Sequence, residues 1–252
     1  MRLPLMARQF VLPQVALLPI TIEAIRIAHL SSTGRPLRIS TKQFVLDPNF
    51  SVGYCNRGSA KSDIEQHGEA IKDFDEAIRL DPNFSAAYNN RGNAKNALKQ
   101  DEEAIKDIDE SIRLDPNNAS AYNNRGITKG NLKQIEEAIK DFDEAIHLDP
   151  NFSAAHCNLG NAKSILGYHR EAIEDFDATI HFDSHYATAY YNRGLAKCKL
   201  SRFEEARSDF QTALSLAQEK DDKELVTAIV DFLSKIDNPK RNKQRSNLSG
   251  GN

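Results

Sequence analysis

The sequence predicts an all-α fold, a solenoid of five tandem helix–turn–helix units followed by a C-terminal capping helix. A phrase close to Leu-Asp-Pro-Asn-Phe recurs every 34 residues, and glycine and alanine recur at the same period. Each repeat also contains two segments whose apolar residues have helical spacing. The five repeats cover about two thirds of the 252-residue chain, at 51–84, 85–118, 119–152, 153–186 and 187–220. Stacked units of this kind bury one another's apolar faces.

Composition excludes several classes of protein. The 33 basic and 36 acidic residues give a net charge of −3, which argues against a generally basic nucleic-acid binder. No apolar run is long enough to span a bilayer, so we expect no membrane partner. The three cysteines, an odd number, argue against a disulfide framework. We therefore expect reduced thiols and a cytoplasmic location.

Each unit reads as a pair of short helices. In the second repeat the pattern predicts helices over 85–98 and 101–114, followed by an Asp-Pro-Asn turn. Gly92 and Ala104 fall where the two helices are expected to cross. Glycine inside a helix costs about 1 kcal/mol relative to alanine. Five glycines in register therefore indicate close backbone packing, at Gly58, Gly92, Gly126, Gly160 and Gly194.

Two further positions complete a known repeat pattern. An aromatic or histidine residue lies four residues before each glycine, at Tyr54, Tyr88, Tyr122, His156 and Tyr190. The second helix carries A-x₃-F or a close variant, ending at Phe74, Ile108, Phe142, Phe176 and Phe210. Together with the period of 34, this pattern resembles the tetratricopeptide repeat family. The resemblance implies a right-handed superhelix whose first helices line a concave, peptide-binding groove without chemistry of its own.

Charged residues interrupt that family pattern at two positions. Arginine replaces the usual leucine before the glycine at Arg57, Arg91, Arg125 and Arg193, whereas the fourth repeat keeps Leu159. The second helices carry aspartate at Asp73, Asp107, Asp141, Asp175 and Asp209. Because a buried unpaired charge is costly, we interpret these residues as structural ion pairs between packed helices. An alternative is that the arginines bind an acidic ligand.

Asparagine lines the expected groove. The sixth position of every repeat is asparagine, at Asn56, Asn90, Asn124, Asn158 and Asn192. Further asparagines occupy the fifth and ninth positions, at Asn89, Asn123, Asn93 and Asn161. Helix propensity does not explain this choice, so we predict that these nine residues form a nearly uncharged peptide-binding surface. The sixth-position residues could also bond the backbone of the neighbouring repeat, and both roles can coexist.

No sequence motif for catalysis is present. The chain lacks a P-loop, a G-x-G-x-x-G turn, H-E-x-x-H and C-x-x-C. We expect no enzyme activity, catalytic residue, cofactor, metal, nucleic acid or small-molecule substrate. The predicted function is a scaffold that binds an extended peptide segment of another protein. Two alternatives are a co-chaperone with the family's carboxylate clamp, although its cations are missing, and a substrate-presenting subunit of an enzyme on another chain.

The N-terminal part differs from the repeats. Residues 1–41 contain one acidic residue and an apolar run interrupted by two prolines. We interpret them as a poorly ordered, degenerate cap. A targeting segment within residues 1–30, organellar or secretory, and a product of start-site choice are the alternatives. Residues 42–50 look like the last nine positions of a truncated repeat.

The C-terminal part is predicted to form a capping helix followed by a disordered tail. Residues 221–237 carry an apolar stripe at Leu225, Ile229, Phe232 and Ile236, which predicts a capping helix over about 222–236. Asp221 and Glu224 resemble a capping box at its start. Residues 238–252 have no such stripe and are basic, so we expect a disordered tail.

Overall fold

The computed structural model describes residues 51–237, which are helical apart from short turns. The predicted N-terminal segment 1–41, the truncated repeat 42–50 and the tail 238–252 lie outside the described residues. The described helices are α1 (Ser51–Asp63), α2 (His67–Leu80), α3 (Ser85–Ala97), α4 (Asp101–Leu114), α5 (Ala119–Asn131), α6 (Ile135–Leu148), α7 (Ser153–Ile165), α8 (His169–Phe182), α9 (Ala187–Lys199), α10 (Phe203–Glu219) and α11 (Lys223–Asp237).

The described residues divide into two compact units, with the boundary between residues 103 and 104. In the first unit, α1 packs against α2, and α2 against α3. In the second unit, each helix from α5 to α10 packs against the next one along the chain. The first helices of successive repeats also touch, α5 with α7 and α7 with α9. Helix pairs therefore stack in chain order within each unit.

The turn between the two helices of a repeat has a fixed backbone conformation. The fifteenth residue of every repeat has a positive φ of about 60–85°, at Glu65, Lys99, Lys133, Gly167 and Ser201. The N–H of the next residue then donates to the carbonyl of the eleventh residue, as from Gln134 to Lys129 at 2.9 Å. This left-handed residue ends the first helix by satisfying one of its last carbonyl groups.

The turn between repeats is closed by an aspartate side chain. The Oδ1 atom of Asp149 accepts a hydrogen bond from the N–H of Asn151 at 3.1 Å. Asp81 and Asp115 make the same contact in their repeats. Asp183 also makes it, at 3.0 Å, although its turn has lost the proline. The aspartate therefore suffices to form this turn.

The helices of a repeat approach closely at the glycine of the first helix. A Cβ atom added to Gly126 would lie 2.6 Å from a ring carbon of Phe142, which is far inside van der Waals contact. Gly58, Gly160 and Gly194 face a phenylalanine ring in the same way. The group that occupies the space beside these glycines is thus the aromatic ring of the second helix.

The last helix covers the end of the fifth repeat. Ile229 of α11 is completely buried against Phe210, and the Phe232 ring lies 5.9 Å from that of Phe210. The residue that caps α11 is Asp222, whose Oδ1 accepts from the N–H of Leu225 at 3.0 Å. The predicted capping box at Asp221 is therefore wrong by one position, because Asp221 has a positive φ of 54° and belongs to the preceding turn.

Candidate functional site

The asparagines at the sixth position link successive first helices in the second unit. The Nδ2 atom of Asn158 donates to Oδ1 of Asn123 in the preceding repeat at 2.9 Å. One repeat later, Nδ2 of Asn192 donates to Oδ1 of Asn161 at 2.8 Å. These bonds join α5 to α7 and α7 to α9. The acceptors of these two hydrogen bonds are side-chain oxygens, whereas the alternative drawn from the sequence was a bond to the backbone of the neighbouring repeat.

The first unit contains the same arrangement. The Nδ2 atom of Asn90 lies 3.2 Å from Ser59 Oγ and 3.6 Å from Cys55 Sγ, both in the preceding repeat. Asn56, in the first repeat, is exposed, and so is Asn93. The sixth-position amide thus contacts the fifth or ninth position of the repeat before it.

Burial divides the nine predicted groove residues. Asn89 and Asn123 have only 8% and 6% of their surface exposed, so little of either side chain is available to a ligand. Asn90, Asn158 and Asn192 are half-buried. Within the described part of the chain, these three have no hydrogen bond to Oδ1, so each keeps an acceptor. Asn158 also retains a second N–H proton, whereas Nδ2 of Asn90 contacts two acceptors and the amide of Asn192 also bonds the Cys157 thiol.

Arginine and aspartate form ion pairs between three helices in the second unit. Arg125 on α5 donates Nε and Nη2 to Asp141 on α6 at 3.0 and 2.7 Å. Its Nη1 donates to Asp109 on α4, in the preceding repeat, at 2.7 Å. Lys129 Nζ lies 2.7 Å from the same Asp141, which is almost fully buried. Asp109 and Lys129 were not predicted from the sequence.

The fifth repeat has the same set of contacts. Arg193 pairs with Asp209 in its own repeat and with Asp177 in the preceding one. Lys197 Nζ approaches Asp209 at 2.7 Å. Burial would lower the pKa of Arg193, but its hydrogen bonds to Asp209 and Asp177 outweigh burial and raise that pKa above its ordinary value. Both carboxylates therefore stabilise the charged arginine.

In the first unit, Arg57 donates hydrogen bonds from Nε and Nη2 to the two carboxylate oxygens of Asp73. Lys61 Nζ lies 2.8 Å from Oδ2 of the same aspartate. Arg91 donates to Asp75 of the preceding repeat at 2.7 Å. Asp107, the predicted partner of Arg91 by position, is buried with 6% of its surface exposed. Each of the four arginines also lies over the tyrosine three residues before it, at 5.2–5.4 Å from the ring centre.

The fourth repeat lacks this arrangement. Leu159 replaces the arginine and is buried in an apolar cluster with Phe142, and His156 replaces the tyrosine. Among the described residues, the ion-pair partner of Asp175 is Lys163, at 2.8 Å. Burial raises the pKa of Asp175, and Lys163 lowers it only in part. Burial also raises the pKa of Asp143, which occupies the position that contacts the next arginine in the other repeats.

Potential reactive groups are also accounted for. Cys55 and Cys157 are buried free thiols, and burial raises the pKa of Cys157 to about 12. Among residues 51–237, no three His, Cys, Asp or Glu side chains are grouped as a metal site would need. No described helix has the length and apolar character needed to cross a membrane.

Comparison with models of known protein families identifies the family to which these repeats belong. The tetratricopeptide repeat model matches four segments that make up more than half of the chain, 51–84, 85–118, 119–152 and 187–220. The chain belongs to the tetratricopeptide repeat (TPR) family. TPR proteins bind other proteins or peptides, so membership supports a role as a protein–protein interaction scaffold. No curated protein shows a significant match to the sequence.

Solved structures agree with this assignment. The crystal structure of MamA is 25% identical, covers 66% of this chain and 96% of its own, and has a TM-score of 0.57. YrrB, described as a TPR protein with an unusual peptide-binding site, is 22% identical, with coverages of 73% and 94% and a TM-score of 0.54. The thermophilic TPR protein TTC0263 of Thermus thermophilus is 15% identical, with coverages of 73% and 99% and a TM-score of 0.65. The predicted all-α, superhelical TPR fold class is confirmed.

Proposed function

We propose that this TPR protein is a non-catalytic scaffold that binds an extended, uncharged segment of a partner protein across the first helices of its second unit. The observation that carries the proposal is the state of Asn158 and Asn192. Each uses an N–H to hold the preceding helix and keeps Oδ1 without a hydrogen bond among the described residues, and Asn158 also retains its second N–H. Asn124 occupies the corresponding position in the third repeat. The three residues define what we call the Asn ladder.

A carboxamide suits recognition of a peptide backbone. It can donate to a peptide C=O and accept from a peptide N–H, whatever the side chain of the ligand. The hydrogen bond to the preceding repeat restricts each amide before the ligand arrives, which reduces the entropy lost on binding. Each neutral hydrogen bond contributes about 0.5–1.5 kcal/mol net. A few rungs therefore support an affinity of about micromolar or weaker.

The ion pairs support an uncharged ligand. Arg125 and Arg193 each contact two carboxylates, and each also lies over a tyrosine ring. An acidic ligand would have to displace these partners to reach either guanidinium group. Binding along the Asn ladder should therefore change little with ionic strength.

The test uses a pool of short synthetic peptides made only of uncharged residues, acetylated and amidated at their ends. Peptides retained by the immobilised full chain are identified by mass spectrometry, and the affinity of one is measured by calorimetry. We expect Asn158→Ala to weaken that peptide by about tenfold, since it removes one hydrogen-bonding rung. Absence of any retained peptide would refute the proposal.

A matched variant distinguishes a role of the Asn158 amide in ligand binding from a role in holding the two helices together. Asn123→Ala removes the acceptor of the same inter-helix bond but leaves the amide of Asn158 in place. Both variants should lose about 1 kcal/mol of stability or somewhat more, whereas only Asn158→Ala should lose most of the peptide affinity. Equal loss of affinity in the two variants would show that the amide only braces the helices.

A further inference from the structure

A cavity of about 430 Å³ lies between α7 and α9, at the ends of these two first helices. Its walls include Asn161 and Asn192, the last pair of bonded amides in the second unit. It also includes His169, the first residue of α8. The cavity therefore adjoins one end of the Asn ladder.

Two polar groups at this cavity lack a partner. Ser164 Oγ and His169 Nδ1 are buried and form no hydrogen bond within the described chain. The equivalent residues of the first repeat are also serine and histidine, and there Ser62 Oγ lies 3.1 Å from His67 Nδ1. The same two residue types are thus bonded in one repeat and unsatisfied in the other, where the cavity lies. Buried polar groups are rarely left without a partner.

The hydrogen-bonding groups of the cavity are mainly donors. Asn161 uses its Oδ1 to accept from Asn192, which leaves its two N–H protons. Ser164 contributes a hydroxyl, and Lys199 contributes an ammonium group. Lys199 is exposed and forms no ion pair within the described residues, and no carboxylate lines the cavity. Such a set favours a ligand that only accepts hydrogen bonds and carries negative charge.

The remaining walls are apolar. Ile165 has 68% of its surface exposed, an unusual value for a large aliphatic side chain, and Leu195 lies across the cavity on α9. Contact with the methylene groups of a ligand side chain would remove this apolar surface from water. A glutamate side chain combines such methylene groups with an acceptor-only end.

We propose that this cavity receives the side-chain carboxylate of a glutamate that adjoins the uncharged segment bound along the Asn ladder. The inference rests on the proposed function, because the ladder positions the segment. The carboxylate accepts from Lys199 Nζ, from the free N–H groups of Asn161 and from the Ser164 hydroxyl, while the stem contacts Ile165 and Leu195. This cavity could not be predicted from the sequence, because the unsatisfied Ser164 Oγ and His169 Nδ1 become visible only in the folded chain.

The test extends the peptide pool to include glutamate and aspartate, again with both ends capped. Peptides retained by the full chain should carry glutamate at one fixed place relative to the uncharged part. Lys199→Gln should weaken such a peptide by about tenfold, because a charge-assisted hydrogen bond is lost. It should leave the peptides selected from the uncharged pool unchanged. Replacing the peptide's glutamate by glutamine should abolish the difference between Lys199→Gln and the unaltered protein.

Ser164→Ala should also weaken the glutamate peptide, whereas the matched change Ser62→Ala, in the first repeat where the serine bonds His67, should not. Retention of uncharged peptides without any selection for an acidic residue would overturn this inference and leave the proposed function standing. Selection of glutamate without retention of any uncharged peptide would support the cavity and refute the ladder. Uncapped peptides that bind through their terminal carboxylate, while capped acidic peptides do not, would overturn the assignment to a side chain.

Discussion

Arg125, the residue before the glycine of the third repeat, is a half-buried cation that contacts three partners at once. It has one carboxylate in its own repeat, one in the preceding repeat and the face of Tyr122. The Asp141 side chain is 5% exposed and the Asp109 side chain 52% exposed. Loss of Arg125 would therefore destabilise the charged form of Asp141 more than that of Asp109, because a buried carboxylate depends on a partner for its stabilisation.

The fourth repeat shows how the packing changes when the arginine is absent. Leu159 fills the space with an apolar side chain, and the aromatic partner changes to His156 at the same time. Asp175 nevertheless remains, with Lys163 as its cation. Its raised pKa means that the charged form is less stable in the folded chain than in the unfolded one.

Two equivalent substitutions should accordingly have opposite effects. Asp175→Asn should stabilise the protein at neutral pH because it removes an insufficiently compensated charge. Asp141→Asn should destabilise it by about 3 kcal/mol, because Arg125 and Lys129 lose their buried partner. Chemical unfolding of both variants and the unaltered chain measures the difference. Destabilisation by both substitutions to the same extent would show that Asp175 is as well paired as Asp141.

The pH dependence of the Asp175 effect has a defined sign. A carboxyl group with a raised pKa binds more protons in the folded than in the unfolded state between its two pKa values, so stability falls as the pH rises through that window. The gain from Asp175→Asn should be complete above the raised pKa. It should disappear as the pH falls to the ordinary aspartate value near 3.8. A gain that does not change over this range would contradict the assignment.

The close approach of paired helices depends on contacts that recur with the repeat. The ring of Phe142 occupies the space beside Gly126, and the next two repeats have the same pair. The alanines of the second helices, such as Ala138, are completely buried in the same interface. A missing side chain on one helix thus admits an aromatic ring from the other. The result is dense packing from only two short helices.

Two glycines of α5 allow a direct test. Gly126→Ala places a methyl group 2.6 Å from the Phe142 ring and should destabilise by about 1–3 kcal/mol, because the ring has to move. Gly130, four residues later on the same helix, has no atom within 4 Å of its added Cβ. Gly130→Ala should therefore stabilise by up to about 1 kcal/mol. Thermal melts of the two variants compare them, and equal destabilisation would show that packing against Phe142 is not the cause.

Much of the element structure could be predicted from the period alone. The helices of the second repeat were expected at 85–98 and 101–114 and lie at Ser85–Ala97 and Asp101–Leu114, because apolar spacing and turn residues act locally. The left-handed turn residues could not be predicted in the same way. Glycine is the usual signal, and only Gly167 provides it.

The candidate site was predictable in residue type but less so in contacts. The sixth-position asparagines could be found because they recur in every repeat. Their acceptors, Asn123 and Asn161, depend on how one helix is placed on the next, which no single repeat encodes. The same reason explains why Asp109 was missed as a partner of Arg125. Contacts between repeats require the folded chain.

For the molecule as a whole, a stack of repeats has an exposed end wherever it stops. In the second unit α11 covers that end, and its buried side is made by Ile229 with Leu225, Val226, Phe232 and Leu233. The outward side carries Thr227 and Asp231, which are exposed. Helix α11 therefore replaces the contacts that a sixth repeat would have supplied, and ends the stack with a more polar surface.

Removal of this helix should destabilise the second unit. A chain ending at Lys220 would expose Phe210 and Tyr191, whose rings pack against Phe232 at 5.9 Å. Each fully buried aliphatic or aromatic side chain contributes about 1.5–3 kcal/mol, so the loss of Ile229 and its neighbours should lower stability by several kcal/mol. We expect a lower melting temperature and stronger binding of a hydrophobic dye. A chain ending at Asp237 is the matched control, and it should melt with the full-length protein. If the chain ending at Lys220 melts at the same temperature as this control, α11 does not act as a cap.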